Sequence, residues 1–189
     1  MNNEEIRKIV EDVLPEQRYK HTLGVAETAI ELGARFAPTL CEASLERASL
    51  VHDYKKPFGR VELTELLQQY EPDEDFSSYG GVLLHGPVAA YLLKEDFGIE
   101  DEEIFHAVYY HTTGRAKMSL FEKIIFLADF IEPGRHFPGV HEVRKLAEKD
   151  LDLAVLESLR STIQHLSAKH VLIHPLTLSA YNDQVRTAK

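Results

Sequence analysis

An all-α bundle in a single domain is what this chain predicts, and three observations carry that expectation. Apolar residues recur at i, i+3 and i+4 through one segment after another. The strict alternation of a half-buried strand is nearly absent. Capping residues, prolines and glycines fall at the edges of the periodic runs. The 189 residues suffice for one full core, and no internal repeat divides them, so residues 1–189 are read as one domain.

In chain order, Ile6, Ile9, Val10, Val13 and Leu14 form the stripe of a first helix, which Pro15 stops. A second helix, from about Glu16 to Phe36, carries His21, Val25, Thr28, Leu32 and Phe36 on one face, so His21 points inward. Thr39-Leu-Cys-Glu42 has the form of a capping box. It opens a third helix through Leu45, Ala48 and Val51 that closes on His52-Asp53. Pro57 and Gly59 precede a short helix around Thr64 to Tyr70, and Glu71-Pro-Asp-Glu-Asp75 reads as a solvated acidic loop. Beyond Gly80-Gly81, His85 sits at or just before the start of a helix with Pro87 in its first turn and Gly98 at its stop. Asp101 caps the next helix, where Ile104, Val108 and His111 share the inward stripe while His106 faces elsewhere.

Ser119-Leu-Phe-Glu122 is a second capping box. The run behind it, Lys123 to Glu132, is apolar nearly all round, as in a central buried helix, with Asp129 set in its middle. A short helix near Val140 to Ala147 and a longer one from about Leu151 to His170, with Leu156, Leu159, Ile163 and Leu166 as its stripe, come next. The tail, residues 171–189, reads as a turn and a short helix packing back on the body.

The composition narrows the function. A formal charge of −10 argues against a nucleic-acid backbone as partner, but allows a small anion wherever cations are concentrated locally. The single cysteine, Cys41, excludes an internal disulfide, fits a reducing cytoplasm and is read as a small core residue. The acidic start has no apolar stretch behind it, and no run approaches the ~18 apolar residues of a membrane span, so a cytoplasmic protein is expected. A homodimer is expected only from the commonness of that state.

Among the ten histidines, His136, His141, His165 and His170 read as surface or packing residues. A different set suggests chemistry. His52-Asp53 at a helix end puts a neutral nitrogen donor beside an anionic oxygen donor. Asp129, on an apolar helix, needs a cation, a metal or several hydrogen bonds to stay ionised. Together His21, His52, Asp53, His85, His111 and Asp129 supply four imidazoles and two carboxylates, enough for two metals if one carboxylate bridges. With no thiolate in the set, iron, manganese, cobalt, nickel and zinc are all compatible. Paired metals about 3.5–4 Å apart are a standard means of activating water for attack at phosphorus.

The ordered set His21…His52-Asp53…His85…His111…Asp129 resembles the extended, dinuclear signature of the HD-domain phosphohydrolases. Within that superfamily, Arg18-Tyr-Lys-His21, His52-Asp-Tyr-Lys-Lys-Pro57, His85-Gly-Pro87, His111-Thr-Thr-Gly114, Leu127-Ala-Asp-Phe-Ile-Glu-Pro-Gly-Arg135 and the tail His174 to Asn182 are similar to the YqeK group. The resemblance spans nearly the whole chain and implies an HD-type helical bundle. It also implies symmetrical cleavage of diadenosine tetraphosphate into two ADP by a metal-bound hydroxide at a di-iron centre. His21, His52, Asp53 and Asp129 would hold one iron, and Asp53 would bridge to a second that His85 and His111 complete.

Cations flank these motifs. Lys56, Arg115, Arg135 and Arg18 are the expected polyphosphate contacts, with Lys56 catalytic beside Asp53, whereas Lys20, Lys55 and Lys117 read as surface lysines. His174 and Asn182 are carried over from the group's tail as nucleotide contacts. The competing readings are an HD phosphohydrolase for another nucleotide, and a nucleotide-sensing module that keeps the site without turnover.

Overall fold

The computed structural model describes residues 1–73 and 76–188, so Glu74 and Asp75 of the acidic loop lie outside the described residues. Ten α-helices run through these: α1 (Asn3–Val13), α2 (Glu16–Phe36), α3 (Glu42–Val51), α4 (Arg60–Gln68), α5 (His85–Phe97), α6 (Glu102–Tyr110), α7 (Leu120–Ile131), α8 (Val140–Ala147), α9 (Leu151–Ala168) and α10 (Pro175–Thr187). Two 3-10 turns, Phe76–Tyr79 and Gly81–Leu83, connect α4 to α5. No strand occurs among the described residues, and none of their helices is long and apolar enough to cross a membrane.

The apolar run read as a central helix is α7, which packs on α2, α3, α6, α8 and α9. Ile124, Ile125, Leu127 and Ala128 are fully buried, so one helix carries both the middle of the core and Asp129. Its start is the expected capping box: Ser119 Oγ accepts from the Glu122 amide, and the Glu122 carboxylate accepts from the Ser119 amide. Asp101 caps α6 as its sequence position suggests, and Gly98 ends α5 with φ near +67°.

Several expectations need correction. The Thr39 capping box does not form: the N-cap of α3 is Cys41, and no side chain caps that end. Cys41 is accordingly exposed, not a core residue, because it stands in the connection outside the helix face that packs on α2. The short helix α4 begins at Arg60, earlier than the apolar pattern suggests, because Gly59 supplies its N-cap. On α9 the buried side is Leu151, Ala154, Val155, Ser158 and Leu159, whereas Ile163 and Leu166 are half-buried. α9 packs on α7, α8 and α10, and its buried positions all lie in the stretch from Leu151 to Leu159.

Candidate metal centre

Three histidines of the set stand at helix ends, and the ends themselves orient them. The last turn of a helix leaves carbonyls without an intrahelical partner. His52, just after α3, donates Nδ1–H to the Ser49 carbonyl at 2.6 Å; His111, just after α6, donates to Val108 at 2.7 Å. His85, following the second 3-10 turn, donates to Val82 at 2.6 Å. Each ring is thereby held as the tautomer with a bare Nε2. His21 is fixed differently, its Nδ1–H donated to Glu132 Oε1 at 3.0 Å.

The four Nε2 atoms converge on Asp53 and Asp129. Asp53 Oδ2 lies 3.7 Å from His21 Nε2 and 3.6 Å from His52 Nε2. Its other oxygen, Oδ1, lies 2.8 Å from His85 Nε2 and 3.8 Å from His111 Nε2. Asp129 Oδ1 is 3.0 Å from His21 Nε2 and 3.8 Å from His52 Nε2. All six residues expected to bind metal are thus brought together. His52, Asp53, His85 and His111 are buried, and Asp129 keeps a partly open side.

Burial, the dominant influence, pushes the imidazoles of His52 and His85 down to about 4, against the pull of Asp53. Both rings are therefore neutral at ordinary pH. Asp53 and Asp129 go the other way. Burial alone would raise them, but the histidines, and Arg135 beside Asp129, hold both carboxylates well below their usual range. Burial is also the largest influence on His21, yet Asp129 and Glu132 reverse it and raise this ring.

These states expose a deficit that a cation fills. His85 Nε2 and His111 Nε2 are 2.9 Å apart, each with its proton already committed to Nδ1, so two lone pairs face one another. His21 Nε2 and His52 Nε2 are buried without a hydrogen-bond partner. Two anionic carboxylates complete a set rich in acceptors. His21, His52 and Asp53 form one group able to hold an ion, Asp53, His85 and His111 a second, and His52, His111 and Asp129 a third. The donors fit a borderline divalent metal.

The flanking cations divide. Arg18 donates to Asp53 Oδ2 at 2.8 Å, and Arg135 NH2 donates to Asp129 Oδ1 at 2.5 Å. Lys56 Nζ lies 3.3 Å from both ring nitrogens of His85 and 3.9 Å from Asp53 Oδ1, and burial lowers its pKa despite the two aspartates. Arg115 stands apart: both its bonds go to the Glu122 carboxylate, and its guanidinium lies 5.0 Å from the Tyr110 ring centre. Asn182 lines a surface cleft along α10 with Pro175 and Asp183, also apart from the cluster. His174 caps α10, stacks on Phe76 with ring centres 4.7 Å apart, and meets the edge of Tyr79, next to the turn that leads into His85. Lys55 is taken up by Asp96 and by the Tyr54 and Phe58 rings.

Sequence reasoning gave no role to Glu132, Gly24 or Arg144. Glu132 is buried, one carboxylate oxygen on His21 and the other accepting from the Gly134 amide at 2.5 Å. Gly24, one turn after His21 on α2, makes room for it: a Cβ there would sit 2.8 Å from Glu132 Oε2. Arg144 on α8 clamps the chain beyond α7 by donating to the carbonyls of Ile131, Glu132 and Arg135. The spacing Asp129 to Glu132, one helical turn, was the available signal for Glu132.

The comparisons with known proteins agree with this geometry. A family model described as the HD domain matches residues 18–134. A symmetrical bis(5'-nucleosyl)-tetraphosphatase of Halalkalibacterium halodurans is 46% identical over 182 residues, 96% of each chain. The protein of the same name from Bacillus subtilis is 42% identical over 96% of this chain and 97% of its own. The crystal structure of a "predicted HD superfamily hydrolase involved in NAD metabolism" from Clostridium acetobutylicum superposes with a TM-score of 0.91 at 38% identity, covering 99% of this chain and 98% of that one. By its fold, its clustered donors and these relatives, this chain belongs to the HD-domain family and, within it, to the symmetrical bis(5'-nucleosyl)-tetraphosphatase group.

Proposed function

We propose that this protein hydrolyses diadenosine tetraphosphate symmetrically, releasing two ADP, with two divalent metal ions at the cluster. The observation that carries the reading is the convergence of four imidazole Nε2 atoms on two carboxylates, three of the rings having their proton committed to a backbone carbonyl. The division of Asp53 supports two ions: Oδ2 faces His21 and His52, Oδ1 faces His85 and His111. Asp129 joins the first set. Iron is the metal implied by the sequence resemblance, and the same donors also suit manganese, cobalt, nickel and zinc. When bound, such ions activate water and neutralise charge on phosphoryl oxygens.

In the reaction, the oxygen of water bonds one central phosphorus, the water's protons pass to solvent, and the P–O bond to the central bridging oxygen breaks. The electron pair leaves on the terminal oxygen of the departing ADP. Arg18, Arg135 and Lys56, three cations on an acidic protein, surround the place where that charge develops. Arg18 and Arg135 are pinned by Asp53 and Asp129, so their guanidiniums are oriented before substrate arrives. Lys56, beside His85, stabilises the departing diphosphate.

The test is product analysis. Metal-loaded protein incubated with diadenosine tetraphosphate is expected to yield ADP alone. AMP with ATP would contradict the reading, and stable binding without product would mark a sensing module instead. Metal analysis of freshly purified protein identifies the ions and their number.

A further inference from the structure

We infer that Gly86 is a positioning residue for the second metal ion: it lets the start of α5 lie close enough to the end of α6 for His85 and His111 to serve one ion together. This rests on the two-ion reading above. His85 and His111 come from different helices, yet their Nε2 atoms are 2.9 Å apart and their ring centres 4.8 Å. That spacing is set by how α5 seats on α6, its main packing partner among the described residues. Gly86 follows His85 directly in the first turn of α5 and is buried at that contact.

Its own backbone angles do not call for a glycine. Gly86 is helical and lacks the positive φ of Gly80, Gly98, Gly114 and Gly139. Alanine is the better helix former, so propensity favours a methyl at this position. Space is what forbids it. A Cβ added at Gly86 would meet His111 Cε1, the Val108 carbonyl oxygen and the Tyr109 carbonyl oxygen, each at 3.1 Å and inside ordinary van der Waals distance. These are its three nearest neighbours, and none belongs to His21, His52, Asp53 or Asp129.

Two of those atoms decide where His111 points. The Val108 carbonyl is the acceptor that holds its Nδ1 at 2.7 Å. Cε1 is the ring carbon bonded both to Nδ1 and to Nε2, the nitrogen that faces the cluster. A methyl on residue 86 therefore presses on the ring between its anchor and its ligand atom. Relief takes a shift of a few tenths of an ångström, in the ring or in α5 with His85. Metal–ligand distances hold to within about 0.2 Å, so a shift of that size spoils the group of Asp53, His85 and His111. The other donors, His21, His52 and Asp129 about Asp53 Oδ2, are held by α2, the end of α3 and α7 and keep their places. Pro87 offers a rival reason for the glycine, because a proline crowds the Cβ of a helical residue before it. Removing the proline separates the two.

The experiment titrates metal-free protein with manganese(II), counting bound ions and recording their electron paramagnetic resonance. It compares the unaltered chain, Gly86→Ala, and Gly86→Ala combined with Pro87→Ala. The unaltered protein is expected to bind two ions with a spin-coupled spectrum. Both variants are expected to hold one ion within about threefold of its original affinity, to weaken the other by roughly 10–100-fold, and to show the spectrum of a lone ion. In a His111→Ala background, where the second group is already broken, adding Gly86→Ala should change the affinity of the remaining ion by less than about twofold. Circular dichroism and metal-free urea midpoints read the fold, and the double variant decides if Gly86→Ala alone is unfolded. Equal loss of both ions, return of the second ion once Pro87 is replaced, or failure of both variants to fold overturns the inference. Two ions in the unaltered protein and two in the variants sink it alone, whereas a single ion in the unaltered protein sinks the two-ion reading with it.

Discussion

Glu132 touches His21 as the backbone carbonyls touch the other three histidines, holding the ring in the tautomer whose free nitrogen faces the cluster. Glu132→Ala is expected to weaken metal binding by roughly 10–100-fold with the fold retained, measured by metal content after dialysis against a graded chelator, and Glu132→Gln to recover part of the loss. Gly24→Ala acts on the same pair from α2 by driving a methyl into the Glu132 carboxylate, and should lower metal retention as well. A pH effect follows from burial. His52 and His85 titrate near 4 in the folded protein against the usual 6.5, so between these values the unfolded chain binds protons that the native one refuses. Metal-free protein should therefore keep its full stability above about pH 6.5 and lose it progressively as pH falls toward 4, as read from urea midpoints in chelator. His21, raised by its acidic neighbours, works in the opposite sense, but it is one ring against two. A midpoint that held steady or rose through this window would falsify the assignment of the buried rings as neutral.

The two look-alike capping boxes make a matched pair at the level of the helix. Ser119→Ala removes a bond that forms and should cost about 1 kcal/mol of stability, whereas Thr39→Ala should change little, since no side chain caps α3. Denaturant unfolding of the two variants reads the contrast. Arg144→Ala frees three carbonyls at the end of α7 and is expected to cost more than the Ser119 change, together with a loosening of Arg135 visible as weaker substrate binding. Most helices were legible because periodicity reports one-sided burial directly. α3 shows the limit. Thr39-Leu-Cys-Glu42 has the right residues, but α3 begins only at Glu42, so Thr39 lies too early to cap it and Cys41 takes the N-cap position. Only the packed chain reveals that register.

Across the molecule, α7 buries its apolar sides against five other helices; α2, α3 and α6, which carry or lead into His21, His52-Asp53 and His111, close on it, and α5 brings His85 in by packing on α6. His21, His52, Asp53, His85, His111 and Asp129 could be gathered from the sequence because their types and order resemble a known signature. Glu132 with Gly24 could not, because their meeting depends on how closely α2 approaches the end of α7. The same holds for the separation of Arg115, which sequence proximity to His111 had placed among the phosphate contacts. Removing metal with a chelator should lower the melting temperature, since ions that bind only the folded form stabilise it by about 2.7 kcal/mol at a hundredfold excess over Kd. The hanging of three imidazoles from spent helix ends has one more consequence. Their protons are parked before any ion enters, so loading the protein need neither fold a segment nor turn a ring. A cation held among these nitrogens would relieve the mutual push of their crowded electron pairs.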